Sequence, residues 1–157
     1  MNEIAKSTEE QIYNLQEAMM DLPQAPAFDT THHFHGGMYC RRMVIPAGSV
    51  IVSKKHKTDH LFIGCSGMLK VSGEGETYIL DAGSVILSQI GTKRAVLALT
   101  DVVCMTVHVT KKTSTEGLEE ELVDDEGKSL YDIDNSPKDG VLVQDREKVE
   151  WSGQQQQ

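Results

Sequence analysis

An all-β barrel or sandwich, preceded by a short helix and followed by an acidic extension, is the fold class that this sequence predicts. Two observations carry the prediction. From Ala27 to Thr110 the chain breaks into short runs rich in Val, Ile, Leu and Thr, separated by Gly, Pro, Asp and Ser. Nine such runs in about 85 residues leave no space for a helical layer within that region.

Taken in chain order, Ser7-Thr8-Glu9-Glu10 has the form of a capping box, in which Ser7 caps the amide of Glu10 while the Glu10 side chain reaches back. Ile12, Leu15 and Met19 follow at helical spacing with Ala18 and Leu22 alongside, and Pro23 ends the run. One apolar stripe on a polar helix predicts a packing face against the same domain or a sister subunit. The strands are expected at 28–35, 38–45, 49–54, 60–64, 68–72, 77–80, 84–88, 95–99 and 102–109. Gly73-Glu74-Gly75 predicts a hairpin turn, because glycine supplies the positive φ that such turns need. Beyond Thr110 the stretch 114–123 predicts a short acidic helix. The remainder reads either as a solvated, disordered linker or as a strap docked through Leu130, Tyr131, Ile133, Val141, Leu142, Val143, Val149 and Trp151. The expected division is therefore 1–26 for the helical segment, 27–110 for the barrel, and 111–157 for the acidic helix and tail.

The 157 residues suit one domain. A formal net charge of −9 disfavours non-specific attachment to nucleic acid or anionic lipid. That acidity lies in the ends, since residues 36–110 hold eight basic side chains against five acidic ones. Cys40, Cys65 and Cys104 are odd in number and form no C-x-x-C pair, so neither a disulfide scaffold nor a zinc ribbon is expected. Cys65, beside Ser66 and Gly67 at a turn, reads as a small buried hydrophobe. The N-terminus lacks a signal-peptide pattern, and no apolar run approaches a membrane span. A cytoplasmic protein is the expectation.

A glycine frame organises the barrel region. Gly48 is followed by Lys54, His56, His60 and Gly67, and Gly83 by Gln89, Gly91, Arg94 and Ala98. This spacing resembles the two motifs of the cupins, which implies a cupin-like jelly-roll barrel with a short N-terminal helix and an acidic C-terminal extension. In that frame His56 falls on the second histidine of the first motif and His60 on its glutamate. Lys54 takes the first histidine position, and Arg94 takes that of the second-motif histidine. The set His33-Phe34, Ile45-Pro46-Ala47-Gly48, His56-Lys57-Thr58, Gly91-Thr92-Lys93-Arg94 and Thr106-Val107-His108 is further similar to small cupin-like proteins of tailed bacteriophages, mostly of unassigned function. For a viral protein the expected place is the host cytoplasm, with the virion as the alternative.

The substitutions bear on chemistry. Neutral imidazoles and carboxylates bind divalent ions, whereas a guanidinium keeps its proton and repels them. Lys54, His56, His60, Thr92, Lys93, Arg94 and His108 therefore form a candidate basic pocket for an anionic, phosphorylated or nucleotide-like molecule. Capture of a host defence signal is one form this would take. This first reading leans away from an enzyme and needs no cofactor. In the alternative, His56, His60 and His108 hold a divalent transition metal for a cupin isomerase, lyase or dioxygenase. His108 enters because the run 102–109 places it with Cys104 and Thr106 opposite Val103, Met105, Val107 and Val109. A virion structural or assembly protein is the third reading. The resemblance also implies a homodimer. His32, His33 and His35 do not form a compact site, because alternation sends His32 to the other face; likewise only one of Arg41 and Arg42 points inward.

Overall fold

The computed structural model describes residues 2–124 and 129–144, with side chains from residue 9 onward. After helix α1 (Asn2–Met20) come strands β1 (Asp29–His35), β2 (Met38–Ile45), β3 (Val50–Val52), β4 (Lys55–His56), β5 (His60–Ser66), β6 (Leu69–Gly73), β7 (Glu76–Leu80), β8 (Val85–Ser88), β9 (Ala95–Ala98) and β10 (Val102–Val109). Helix α2 (Leu118–Leu122) and strand β11 (Val123–Asp124) follow. One antiparallel sheet runs β1-β2-β10-β5-β8 and the other β3-β9-β6-β7. With β1 set aside as an added edge, these are the two four-stranded sheets of a double Greek key. The fold is a jelly roll.

Alternation along the strands fills the space between the sheets. Ile45, Leu69, Val71, Leu80, Val96, Ala98, Val102 and Cys104 form the main core, with Met43, Ile51, Phe62, Tyr78 and Ile86 packed against it. This core occupies the end of the barrel where β2 finishes and β10 begins. At the other end Tyr39, Leu118 and Leu122 form a second cluster with Phe34, Val123 and Ile133. Helix α2 thus caps the barrel, and burial of its two leucines contributes roughly 2 kcal/mol each.

Several local features differ from the sequence-based expectations. Helix α1 begins by Asn2, so Ser7 lies inside it rather than at a cap. The run 49–54 is shortened to β3, and β4 begins beyond it as a separate strand; between them the Ser53 amide donates to the Arg94 carbonyl at 2.8 Å and the Ser53 hydroxyl accepts from the Arg94 amide at 2.8 Å. The hairpin turn is the two-residue step Glu74-Gly75, with φ of 55° and 79°, as a twisted two-residue hairpin requires. Cys65 is exposed, not buried. The β5–β10 register passes from Ser66 opposite Val103 to Gly64 opposite Cys104, so Cys65 is the extra residue of a bulge and leaves the ladder. At Gly67, φ is +76° and a Cβ would stand 2.0 Å from the Asp101 carbonyl oxygen, so no side chain fits there.

The described part of the acidic extension docks on the barrel. Strand β11 pairs with β4. Residues 129–144 run back along the barrel, with the Tyr131 hydroxyl donating to the Ala25 carbonyl at 2.8 Å and the Gln24 and Gln144 amides donating to the Leu142 and Gln24 carbonyls at 2.7 Å each. Val149, Trp151 and the terminal glutamines lie outside the described residues. Among the described residues no helix is long and apolar enough to cross a membrane.

Candidate metal centre

Three histidines meet beneath α2. His56 sits on the two-residue strand β4, opposite Val123 of β11, and its carbonyl accepts the Gly91 amide at 3.1 Å. His60 opens β5 opposite Ser88, next to a loop tied down by the Ile90 amide donating to Asp59 at 2.9 Å. His108, near the end of β10, lies opposite Tyr39. Ring centroids are 4.1 Å apart for His56 and His60, 4.6 Å for His60 and His108, and 5.4 Å for His56 and His108. One nitrogen from each ring lies within 4.8 Å of the other two.

The surroundings keep these rings uncharged. Burial, followed by the neighbouring imidazoles His60 and His108 and then Arg41 and Arg94, lowers His56 from 6.5 to about 3. Burial, then His60 and Arg41, lowers His108 to about 3. Burial also lowers His60, against a smaller opposing influence of the Thr58 backbone, whose carbonyl favours the protonated ring. Neutral imidazole is the form that ligates metals. His108 Nε2 and the Thr106 hydroxyl are 3.0 Å apart, while His108 Nδ1 and His60 Nδ1 are buried without a hydrogen-bond partner among the described residues. Unpartnered buried nitrogens are costly. Three neutral donors with two such orphans fit a divalent transition metal, with Thr106 orienting one ligand.

Two arginines flank the cluster. Arg94 is 8% exposed and donates from Nη1 to Ser88 Oγ at 2.6 Å, beside His60. Arg41 lies opposite Thr106 on the inner face of β2. Its Nη2 donates to the Ile133 carbonyl at 2.9 Å and to Asn135 Oδ1 at 2.7 Å. A polar chain runs outward from the same wall: Tyr39 Oη lies 2.7 Å from His32 Nδ1, and His32 Nε2 lies 2.6 Å from Asp134 Oδ1. Tyr39 also stacks on His108 at 5.7 Å, and burial pushes its hydroxyl up to about 12, so it keeps its proton at neutral pH.

The structure thus brings together His56, His60, His108 and Arg94, while the other predicted site residues are engaged elsewhere. Lys54 forms an ion pair with Glu119 of α2. The Thr92 hydroxyl donates to Glu74 at 2.8 Å, in the β6–β7 turn. Lys93 lies 5.0 Å above the Tyr13 ring of α1. His33 contacts Thr31 at 3.2 Å, away from His32, as alternation requires. Arg41 was not among the predicted site residues. Its signal is the shared face with Tyr39, Met43 and Ile45, but the opposite face of β2 also carries Cys40 and Val44, so apolarity does not mark which side is inward.

No family model matches the sequence, and no curated protein sequence does. Solved structures with a similar fold include KdgF from Halomonas sp., at 17% identity over 55% of this chain and 82% of that one, with a TM-score of 0.49. A cupin superfamily protein from Desulfitobacterium hafniense shows 8% identity over 57% and 84%, with a TM-score of 0.48. The cupin domain of an XRE family transcriptional regulator from Enterobacter cloacae shows 14% identity over 55% and 99%, with a TM-score of 0.47. At such scores the fold assignment rests on the strand order described above.

Proposed function

We propose that the barrel is a metal-binding site in which His56, His60 and His108 hold a divalent transition metal ion and an anionic small molecule is the guest. The convergence of three neutral imidazoles, two of them with an orphaned nitrogen, carries this reading. When bound, such an ion supplies a Lewis acid with coordination positions left for a ligand. The chain's own groups do the rest: Thr106 orients His108, β11 fixes β4 and hence His56, and α2 packs its leucines with Tyr39, which stacks on His108. An anion site built only from Lys54, Thr92 and Lys93 is less favoured, since each has a partner within the chain. Arg94 and Arg41 remain as the cations nearest the histidines, and they favour a guest with a carboxylate or phosphate group.

Native mass spectrometry of untagged protein, loaded with zinc or manganese and desalted, tests the metal reading. One ion per chain, removed by a chelator, is expected. A chain that stays ion-free after loading with either metal contradicts it.

A further inference from the structure

The wall of the barrel beside the histidines carries an unusual charge arrangement. Arg41 and Arg94 both point between the sheets, yet among the described residues neither forms an ion pair. The carboxylates that act on the Arg41 charge are those of Glu119 and Asp134, and each is already engaged, by Lys54 and His32 respectively. Burying a cation without a counter-charge is costly. Keeping two of them beside three neutral imidazoles is understandable where the missing negative charge arrives with a ligand.

The geometry at Arg41 is more specific. A guanidinium donates along two edges, Nε with Nη2 and Nη1 with Nη2, and where Nη2 is taken the remaining N–H groups still serve as single charge-assisted donors to an oxyanion. Nη2 is spent on the extension, through the Ile133 carbonyl and Asn135 Oδ1. Asn135 is held in turn, its Nδ2 donating to Thr30 Oγ1 at 2.9 Å and its carbonyl accepting the Phe28 amide at 3.3 Å. Nε, by contrast, is buried and has no partner among the described residues. Arg41 stands directly opposite Thr106, whose hydroxyl contacts His108, and one alternation from Tyr39, which stacks on His108. Arg94 donates to the hydroxyl of Ser88, the residue opposite His60 in the β5–β8 ladder.

We propose that Arg41 is an oxyanion-recognition residue of this barrel: with Nη2 fixed by the docked extension, it offers its Nε–H, as a single charged donor, to a carboxylate or phosphate oxygen of the bound molecule, and Arg94 adds a second positive charge to the same end of the barrel. This inference rests on the reading of the histidine end of the barrel as the ligand site, and it names the chemical class of guest and the residue that selects it. It also gives the extension a role in binding, because Ile133 and Asn135 set the direction in which the guanidinium faces.

Isothermal titration of the untagged full chain with malonate and with inorganic phosphate, in chelator-treated and zinc-loaded forms at fixed ionic strength, tests the proposal. At least one probe binds the wild type, and malonate against phosphate distinguishes a carboxylate from a phosphate guest. In Arg41→Gln the affinity falls at least tenfold. Arg41→Lys keeps the charge but cannot serve both the extension and the ligand, so it too loses affinity, and it carries the test if the glutamine variant does not fold. Zinc content of the same preparations stays at the wild-type level. Binding unaltered in both variants overturns the proposal, as does failure of both probes to bind the wild type. Arg41-dependent binding to a chain that takes up no zinc upholds it while removing the metal reading.

Discussion

His60→Ala abolishes stoichiometric uptake of a divalent transition metal, weakening affinity by more than about a hundredfold, the upper end of what loss of a partner outside the ligand set costs. His60 stands between the other two rings, with the shortest centroid separations in the cluster, 4.1 Å and 4.6 Å. Its removal leaves two donors, on β4 and β10. The barrel itself survives, since His60 enters the β5–β8 ladder through its backbone, opposite Ser88. Loss of a ring with an orphaned buried nitrogen leaves the metal-free variant no less stable than wild type by thermal melting. His33→Ala, on the outer face beside Thr31, is the matched control and retains uptake. Elemental analysis after loading and desalting checks both variants, and full metal content in His60→Ala contradicts the assignment.

Lowering the pH destabilises the metal-free protein steeply. His56 and His108 are each held at about 3 in the fold against an ordinary value of 6.5. Between those limits the unfolded chain binds protons that the folded chain refuses, so stability rises with pH across this window and is fully present only above about 6.5. From pH 7 to pH 4 the loss is on the order of 3 kcal/mol per ring. The total is less than twice that, because His108 is itself one of the causes that lower His56, so the two shifts do not add independently. Urea midpoints measured from pH 7.5 to pH 4 with a chelator present fall accordingly. His108→Gln, which cannot take a proton, has a shallower slope, and an equal slope in wild type and variant contradicts the buried, neutral state of this ring.

Much of this architecture is legible in the chain. Strands β2 and β10 start and end where their composition changes, because both lie at the centre of the larger sheet and each must alternate strictly to bury one face. His108 is legible for the same reason: Val103, Met105 and Val107 on one face and Cys104 on the other fix where it points. The illegible parts depend on contacts without a sequence signature. The extension is held largely by donors meeting backbone carbonyls, at Ala25, Glu120 and Ile133 among others, and any residue presents a carbonyl. The bulge that exposes Cys65 and the break between β3 and β4 arise from cross-strand register, which local composition does not encode. The start of α1 is misplaced because a capping box is a local preference, and the five residues before Ser7 contain nothing that forbids a helix. For the site, the histidines follow from spacing, but the occupation of Lys54 by Glu119 and of Thr92 by Glu74 spans long stretches of chain and shows only in the folded molecule.

X-ray absorption spectroscopy of the zinc-loaded, untagged protein tests the central claim, that three histidines converge on one metal, most directly. The expected spectrum shows three imidazole nitrogens at about 2.0–2.1 Å from one ion per chain. A first shell of oxygens without imidazole scattering would contradict the account, as would the absence of any ion retained at one per chain.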